Sequence, residues 1–66
     1  MLKDLFFVYF EIWFAEDFSK MECCDSVVAA DCAEAWERID RRYEGEGTGV
    51  RVLKITDAAG AVIYED

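Results

Sequence analysis

Histidine is absent from this 66-residue chain, and basic residues are few. Without histidine, the chain has neither the commonest metal ligand nor the commonest general base of enzymes. Seven lysines and arginines stand against 15 aspartates and glutamates, which gives a formal net charge of −8. A surface of that charge repels phosphate, so we expect no direct contact with nucleic acid. No catalytic signature is present either, and we predict a protein that is not an enzyme and uses no metal or cofactor.

The sequence also lacks a long apolar run. The stretch from Leu5 to Phe10 follows Lys3 and is broken by Glu11. A transmembrane helix takes about 20 apolar residues, and Ala15-Glu16-Asp17 is not a small-residue cleavage site of a signal peptide. We therefore expect a soluble cytoplasmic protein with no membrane partner.

The three cysteines are an odd number, and none of them forms a C-x-x-C pair. A small secreted scaffold usually carries an even set joined in disulfides. Cys23 and Cys24 are adjacent, so on a strand their side chains point to opposite faces. Small buried thiols are the favoured interpretation, with Cys32 as the third, and a redox or metal role is the alternative.

What the chain does have is apolar and aromatic residues, with 55% of its residues hydrophobic. This content predicts one small folded domain over residues 1–66. Leu5–Phe14 predicts a strand that is apolar on both faces, which is typical of a central strand. One of its faces carries only apolar side chains: Phe6, Val8, Phe10, Ile12 and Phe14.

A helix is predicted after a second strand at Met21–Ala30. Asp31 is an expected N-cap with Glu34 three residues on. An apolar stripe at helical spacing then follows to Tyr43: Cys32, Ala35, Trp36, Ile39 and Tyr43.

Two further strands are predicted at Val50–Thr56 and Ala61–Glu65, joined by a tight turn in which Gly60 takes a positive φ. The order is then β-β-α-β-β, an α+β fold with one helix on one face of a mostly antiparallel four-stranded sheet. A right-handed crossover and a central first strand favour the strand order 2-1-3-4. In the third strand, alternation places Leu53 and Ile55 on one face. The other face takes Val50, Val52, Lys54 and Thr56.

One helix covers one face of such a sheet, so an aromatic face should stay open. Phe7, Tyr9 and Trp13 are expected there, joined by Val52 and Tyr64. A contiguous apolar area of this kind marks a homodimer or partner interface. The alternative is ordinary surface, since more than half of a protein surface is apolar. Glu11 in the middle of this face counts against an interface.

The acidic residues form the second candidate surface. Glu16 and Asp17 lie in the first loop, and Glu37, Asp40 and Glu44 follow an i, i+3, i+7 row on the helix. Glu46 follows the helix. The plain interpretation is a solvated face that keeps a small domain soluble, partly neutralised by Arg38, Arg41 and Arg42. The functional interpretation is a surface that docks onto a basic groove where another protein holds nucleic acid.

A small, histidine-free, strongly acidic α+β chain resembles the anti-CRISPR proteins of phages and mobile elements, above all those directed against type I systems. The resemblance rests on the strand Leu5–Phe14, the capped helix Asp31–Tyr43, the hairpin Val50–Glu65 and the acids named above. These families share no motif, so no residue is carried over by position. The resemblance implies a stoichiometric inhibitor in the cytoplasm of a bacterial host. Its acidic surface would block the nucleic-acid site of a basic protein, such as a subunit of a CRISPR effector complex.

Two functions are therefore predicted as alternatives. The first is a non-catalytic inhibitor that binds through acidic residues. The second is a small structural or assembly module that dimerises or docks through Phe7, Tyr9 and Trp13. Charge reversal and high salt should weaken the first, whereas only changes to the aromatic residues should affect the second.

Overall fold

The computed structural model describes residues 3–66 of the predicted domain. Its four strands form one antiparallel sheet in the order β2-β1-β3-β4, and its single helix lies against one face. The predicted fold class and strand order are confirmed. The elements are β1 (Asp4–Phe14), β2 (Ser19–Ala29), α1 (Cys32–Tyr43), β3 (Thr48–Asp57) and β4 (Val62–Glu65).

β1 is central because it pairs with β2 on one side and with β3 on the other. Its even-numbered side chains face the helix, and Val8 and Phe10 are fully buried. Burial of a large apolar side chain on this face contributes about 1.5–3 kcal/mol to the free energy of folding. The rest of the core comes from neighbouring strands and the helix: Val27, Ala29, Ala35, Ile39, Val52 and Ile55.

The helix begins where the sequence predicts. The Glu34 N–H donates to Oδ1 of Asp31 at 2.8 Å, so Asp31 is the N-cap. Ala35 and Ile39 are fully buried, and the other members of the apolar stripe are packed against the core. The Glu34 carboxylate accepts from Lys3 and Arg38.

A β-bulge at Leu53 overturns the predicted faces of β3. Tyr9 pairs with Lys54, whereas the next residue, Phe10, pairs with Val52, so two residues of β3 oppose one of β1. Strict alternation is broken at this point. Val52 and Ile55 both face the helix and are buried, and Lys54 lies on the open face beside Tyr9.

Two loops meet at one end of the sheet. The hairpin loop 15–18 joins β1 to β2, and the loop 44–47 joins α1 to β3. The Ala15 N–H donates to the Gly47 carbonyl oxygen at 2.9 Å, and Phe14 pairs with both Ser19 and Thr48. We call this the hairpin end of the molecule. At the other end, the predicted turn is confirmed, with Gly60 at φ 90°.

No helix within residues 3–66 has the length and apolar character needed to cross a membrane.

Candidate functional site

Nearly all of the basic side chains that the structure describes form ion pairs. Six of the seven place a nitrogen within 4.0 Å of a carboxylate oxygen. Lys54, the seventh, lies over the ring of Tyr9. The excess negative charge therefore belongs to carboxylates elsewhere. The paired cations are Lys3, Lys20, Arg38, Arg41, Arg42 and Arg51.

Four of those other carboxylates collect at the hairpin end. Glu16 and Asp17 lie in the loop 15–18, and Glu44 and Glu46 lie in the loop 44–47 that is bonded to it. All four are exposed, and within residues 3–66 none forms a salt bridge. We call these four residues the acidic end. They come from two segments about 30 positions apart in the sequence, and only the tertiary fold brings them together.

Asp17 is held in place by its own loop. Its Oδ1 accepts from the Ser19 hydroxyl at 2.6 Å and from the Ser19 N–H at 3.1 Å. The bond from the Ser19 hydroxyl has the larger effect and that from the Ser19 N–H the smaller, and both lower the pKa of Asp17 because they favour the ionised form. Asp17 is therefore charged at neutral pH and has a defined orientation.

The other two predicted acidic residues differ from this group. Glu37 is ion-paired with Arg41 one turn along the helix, so its charge is compensated. Asp40 is half-buried, and burial, followed by the nearby charge of Glu44, raises its pKa. The expectation that Glu37, Asp40 and Glu44 share one solvent-facing row is therefore wrong for Asp40. Asp40 lies near Trp36 one turn back, and its partial burial distinguishes it from the exposed Glu37 and Glu44.

The position of Glu44 is unfavourable for the helix itself. Glu44 is the C-cap of α1, where the unsatisfied carbonyl groups give the helix end a partial negative charge. A carboxylate there is repelled, and Glu46 lies two residues beyond it. Two acids at this helix end therefore work against the stability of the helix.

Phe18 lies at the hairpin end next to Asp17, and sequence reasoning missed it. Its side chain is 88% exposed, and its φ of 58° is unusual for a residue with a bulky side chain. It borders a shallow groove of ≈ 430 Å³. The available signal was a lone aromatic residue between Asp17 and Ser19 in a polar connection. The groove is lined by Trp13, Phe14, Ala15, Phe18, Gly47, Thr48 and Gly49.

The open face of the sheet carries the predicted aromatic side chains. Tyr9 and Trp13 are 37% and 42% exposed, and Phe7 is half-buried. Lysines cover part of both exposed rings. The Lys54 Nζ lies 4.6 Å from the Tyr9 ring centroid, and the Lys20 Nζ lies 5.2 Å from that of Trp13.

Val52 and Tyr64 are not part of this face, which corrects the prediction. Val52 pairs with Phe10 on the helix side and is only 2% exposed, because of the bulge in β3. The Tyr64 ring packs edge-on against Trp36 of the helix at a centroid distance of 4.7 Å. Val62 instead lies on the open face opposite Thr56, and it is 52% exposed.

Glu11 is buried in the middle of the open face, with 7% of its surface exposed. Its Oε2 has no hydrogen-bond partner within residues 3–66, and the Lys20 Nζ is 3.9 Å away. Trp13 lies on one side of this carboxylate along β1 and Tyr9 on the other. The aromatic face is thus divided by a charge.

The cysteines differ from one another in exposure. Cys23 and Cys32 are half-buried, whereas Cys24 is exposed, so the prediction of three buried thiols is wrong for Cys24. Burial, then the charge of Asp31, raises the pKa of the Cys32 thiol. Residues 3–66 contain no group of three or more cysteine, aspartate or glutamate side chains arranged to hold a metal ion.

Comparison with known proteins gives no match to a protein family, to a curated protein or to a solved structure.

Proposed function

We propose that this chain is a non-catalytic binding protein that uses its acidic end to occupy a basic, nucleic-acid-binding site on another protein. One observation carries the proposal. Glu16, Asp17, Glu44 and Glu46 meet at the hairpin end and form no salt bridge with any residue from 3 to 66, while six of the seven basic side chains are paired elsewhere. Four of the ten carboxylates that form no salt bridge within residues 3–66 therefore lie together at one end of the molecule. A local group of like charges selects an oppositely charged partner.

The electrostatics fit a partner built to bind phosphates. Such a site supplies lysine and arginine side chains, which form strong charge-assisted hydrogen bonds with carboxylates. The same field raises the association rate at low salt, and the effect decays over a Debye length of about 8–10 Å. A bound copy of this protein would exclude the partner's own nucleic acid from the site.

Phe18 gives this site an apolar anchor. Binding energy in protein interfaces comes mainly from a few buried aromatic side chains, surrounded by polar contacts that exclude water. Phe18 is available for contact with a partner, since it is 88% exposed in the free protein. We expect it to insert beside the partner's basic residues, while the adjoining groove receives an apolar side chain of the partner.

The resemblance to small acidic anti-CRISPR proteins supplies a candidate partner. A subunit of a CRISPR effector complex in the bacterial cytoplasm has the basic nucleic-acid groove that the acidic end requires. The protein would then act as a stoichiometric inhibitor by competition.

The test compares two variants with the same net charge. Each carries three acid-to-amide substitutions, and only the first alters the acidic end. Its changes are Glu16→Gln, Glu44→Gln and Glu46→Gln. The control changes exposed acids elsewhere: Asp4→Asn, Glu22→Gln and Glu65→Gln.

The partner is first captured from host lysate and identified by mass spectrometry, and its association rate with each variant is then measured against salt concentration. We expect the first variant to associate many-fold more slowly, and the control to behave like the native protein. The partner's nucleic acid should compete with the native protein. Equal losses in both variants, or no competition, would contradict the proposal.

A second candidate function is an assembly module that docks or dimerises through the open aromatic face. The observation in its favour is that exposed apolar side chains continue beyond Tyr9 and Trp13. Leu5 and its cross-strand neighbour Val28 are 38% and 52% exposed on the same face. Light scattering of the native protein and of a Tyr9→Lys, Trp13→Lys variant tests this function. It is excluded if the native protein is monomeric and the variant still binds its partner.

A further inference from the structure

The two edges of the sheet differ in how they are protected. β4 is four residues long, and its register with β3 shifts between Ile55 and Thr56, so it offers little to another strand. β2 is 11 residues long and pairs with β1 without a register shift. Short or bulged edges resist pairing with other chains, whereas a long regular edge is a template for it. β2 is therefore the edge at which strand addition is expected.

The peptide groups that point outward from β2 can be identified. The Ser26 N–H donates to Oδ1 of its neighbour Asp25 at 2.8 Å, so it faces the free edge. The Ala15 N–H points to Gly47 on the β3 side, which puts even-numbered peptide groups of β1 on the β2 side. Even-numbered residues of β1 pair with odd-numbered residues of β2, so the odd-numbered peptide groups of β2 point inward to β1. The even-numbered peptide groups of β2 therefore point outward, in agreement with Ser26. The outward residues are Lys20, Glu22, Cys24, Ser26 and Val28.

We propose that a second copy of this chain pairs with β2, antiparallel and about a two-fold axis at Cys24, to form a continuous eight-stranded sheet. A two-fold axis perpendicular to the sheet keeps both helices on one face and makes the interface isologous. Of the five outward N–H groups, only that of Ser26 has a partner within residues 3–66. The others are free to bond with the second copy.

Charge and length select the register. An axis at Glu22 would place Glu22 directly opposite its own copy, and an axis at Asp25 would do the same for Asp25. Like charges directly opposite one another destabilise a strand pair. An axis at Cys24 keeps all 11 residues paired, because Cys24 is the middle residue of Ser19–Ala29. Glu22 then lies opposite Ser26, which carries no charge.

Asp25 does not block this arrangement. On pairing, the Ser26 N–H would pass from the Asp25 carboxylate to the Glu22 carbonyl of the second copy. The Asp25 carboxylate keeps its bonds from Arg42 at 2.7 Å and from the Tyr43 hydroxyl at 2.6 Å. Its charge therefore stays compensated in the dimer.

The net charge of each copy does not block it either. β2 begins at the hairpin end, and antiparallel pairing sends the two hairpin ends in opposite directions. An 11-residue strand is about 36 Å long, so the two acidic ends lie several Debye lengths apart. Both acidic ends stay exposed, and the inference does not depend on the proposed function.

Cysteine crosslinking tests the register with the purified protein alone. Facing Cα atoms in a hydrogen-bonded antiparallel pair are about 5.5 Å apart, within the reach of a disulfide. One variant keeps only Cys24, through Cys23→Ala and Cys32→Ala. The control keeps only Cys23, whose side chain points to the helix side and lies opposite Asp25 of the other copy.

Mild oxidation should convert the Cys24-only variant to a covalent dimer and leave the Cys23-only control largely monomeric. The second measurement is light scattering under reducing conditions. The native protein should be a dimer, and Cys24→Pro should abolish the dimer by removing an outward N–H, whereas Cys24→Ala should keep it. Circular dichroism verifies that the proline variant is folded.

Three results would overturn the inference. The first is a native protein that stays monomeric at its highest soluble concentration. The second is a dimer that crosslinks equally well through Cys23. The third is a dimer that survives a folded Cys24→Pro variant but is lost in the Tyr9→Lys, Trp13→Lys variant, which would assign the interface to the open face.

Discussion

The hydroxyl of Tyr43 should stabilise the fold through Asp25 in a pH-dependent way. It donates to Oδ2 of Asp25 at 2.6 Å, next to the bond from Arg42. Tyr43→Phe removes this bond only. The ring keeps its contact with Phe10, whose centroid is 4.9 Å away. The substitution therefore separates the hydrogen bond from the packing.

The expected loss follows from the surroundings of Asp25. A hydrogen bond to a charged group contributes about 1.5–3 kcal/mol. The Asp25 side chain is 28% exposed and keeps its bond from Arg42, so water and the guanidinium compensate part of the loss. We therefore expect Tyr43→Phe to lower the free energy of unfolding by about 1–2 kcal/mol at neutral pH.

The sign of the pH dependence follows from the pKa of Asp25. The hydrogen bond from Tyr43, and then that from Arg42, lower this pKa in the folded protein. A lowered carboxyl pKa contributes stability that is complete above the unfolded value, about 3.9, and is lost as pH falls through the folded value. The difference between the native protein and Tyr43→Phe should therefore be constant near neutral pH and shrink below about pH 4.

Urea unfolding from about pH 2 to about pH 7 measures this difference. Tyr64→Phe is the matched control, because the Tyr64 hydroxyl makes no hydrogen bond within residues 3–66. Its effect should be small and independent of pH. Equal losses of stability in the two variants at neutral pH would contradict this role of the Tyr43 hydroxyl, and so would a Tyr43→Phe loss that stays unchanged at the acid limit.

The remaining predictions concern the helix and the hairpin end. Asp31→Ala should cost about 0.5–2 kcal/mol in urea unfolding, because it removes the N-cap, and Asp31→Asn should cost much less. Ile39→Ala should cost about 2–5 kcal/mol by the same assay, since Ile39 is fully buried; a smaller loss would place it outside the core. Glu44→Gln should stabilise the protein by about 0.3–1 kcal/mol by relieving repulsion at the helix end, yet slow association with a basic partner. Phe18→Gly should raise the free energy of unfolding by about 0.5–1 kcal/mol, because glycine tolerates the positive φ. The same substitution should weaken partner binding, and unchanged binding would show that Phe18 is not part of the interface.

Several features of this protein were determined by the sequence itself, because neighbouring residues carry them. Apolar side chains on both faces of β1 predicted its central place in the sheet, and its wholly apolar face predicted the side that meets the helix. Asp31 and the apolar stripe predicted the start and the buried face of α1. The strand order followed from the right-handed crossover between β2 and β3 together with the placement of the apolar β1 in the gap between them. The two candidate surfaces were also named from the sequence.

Tertiary structure decided the features that depend on residues distant in the chain. The bulge at Leu53 arises from the register of β3 against β1, and no local pattern predicts it; it moved Val52 to the helix side. Glu16 and Glu46 meet only because the loops 15–18 and 44–47 are hydrogen-bonded to each other. The exposure of Phe18 depends on the conformation of its loop. Local periodicity indicates which side chains are buried away from water. Strand register and loop packing determine which side chains from distant segments come into contact.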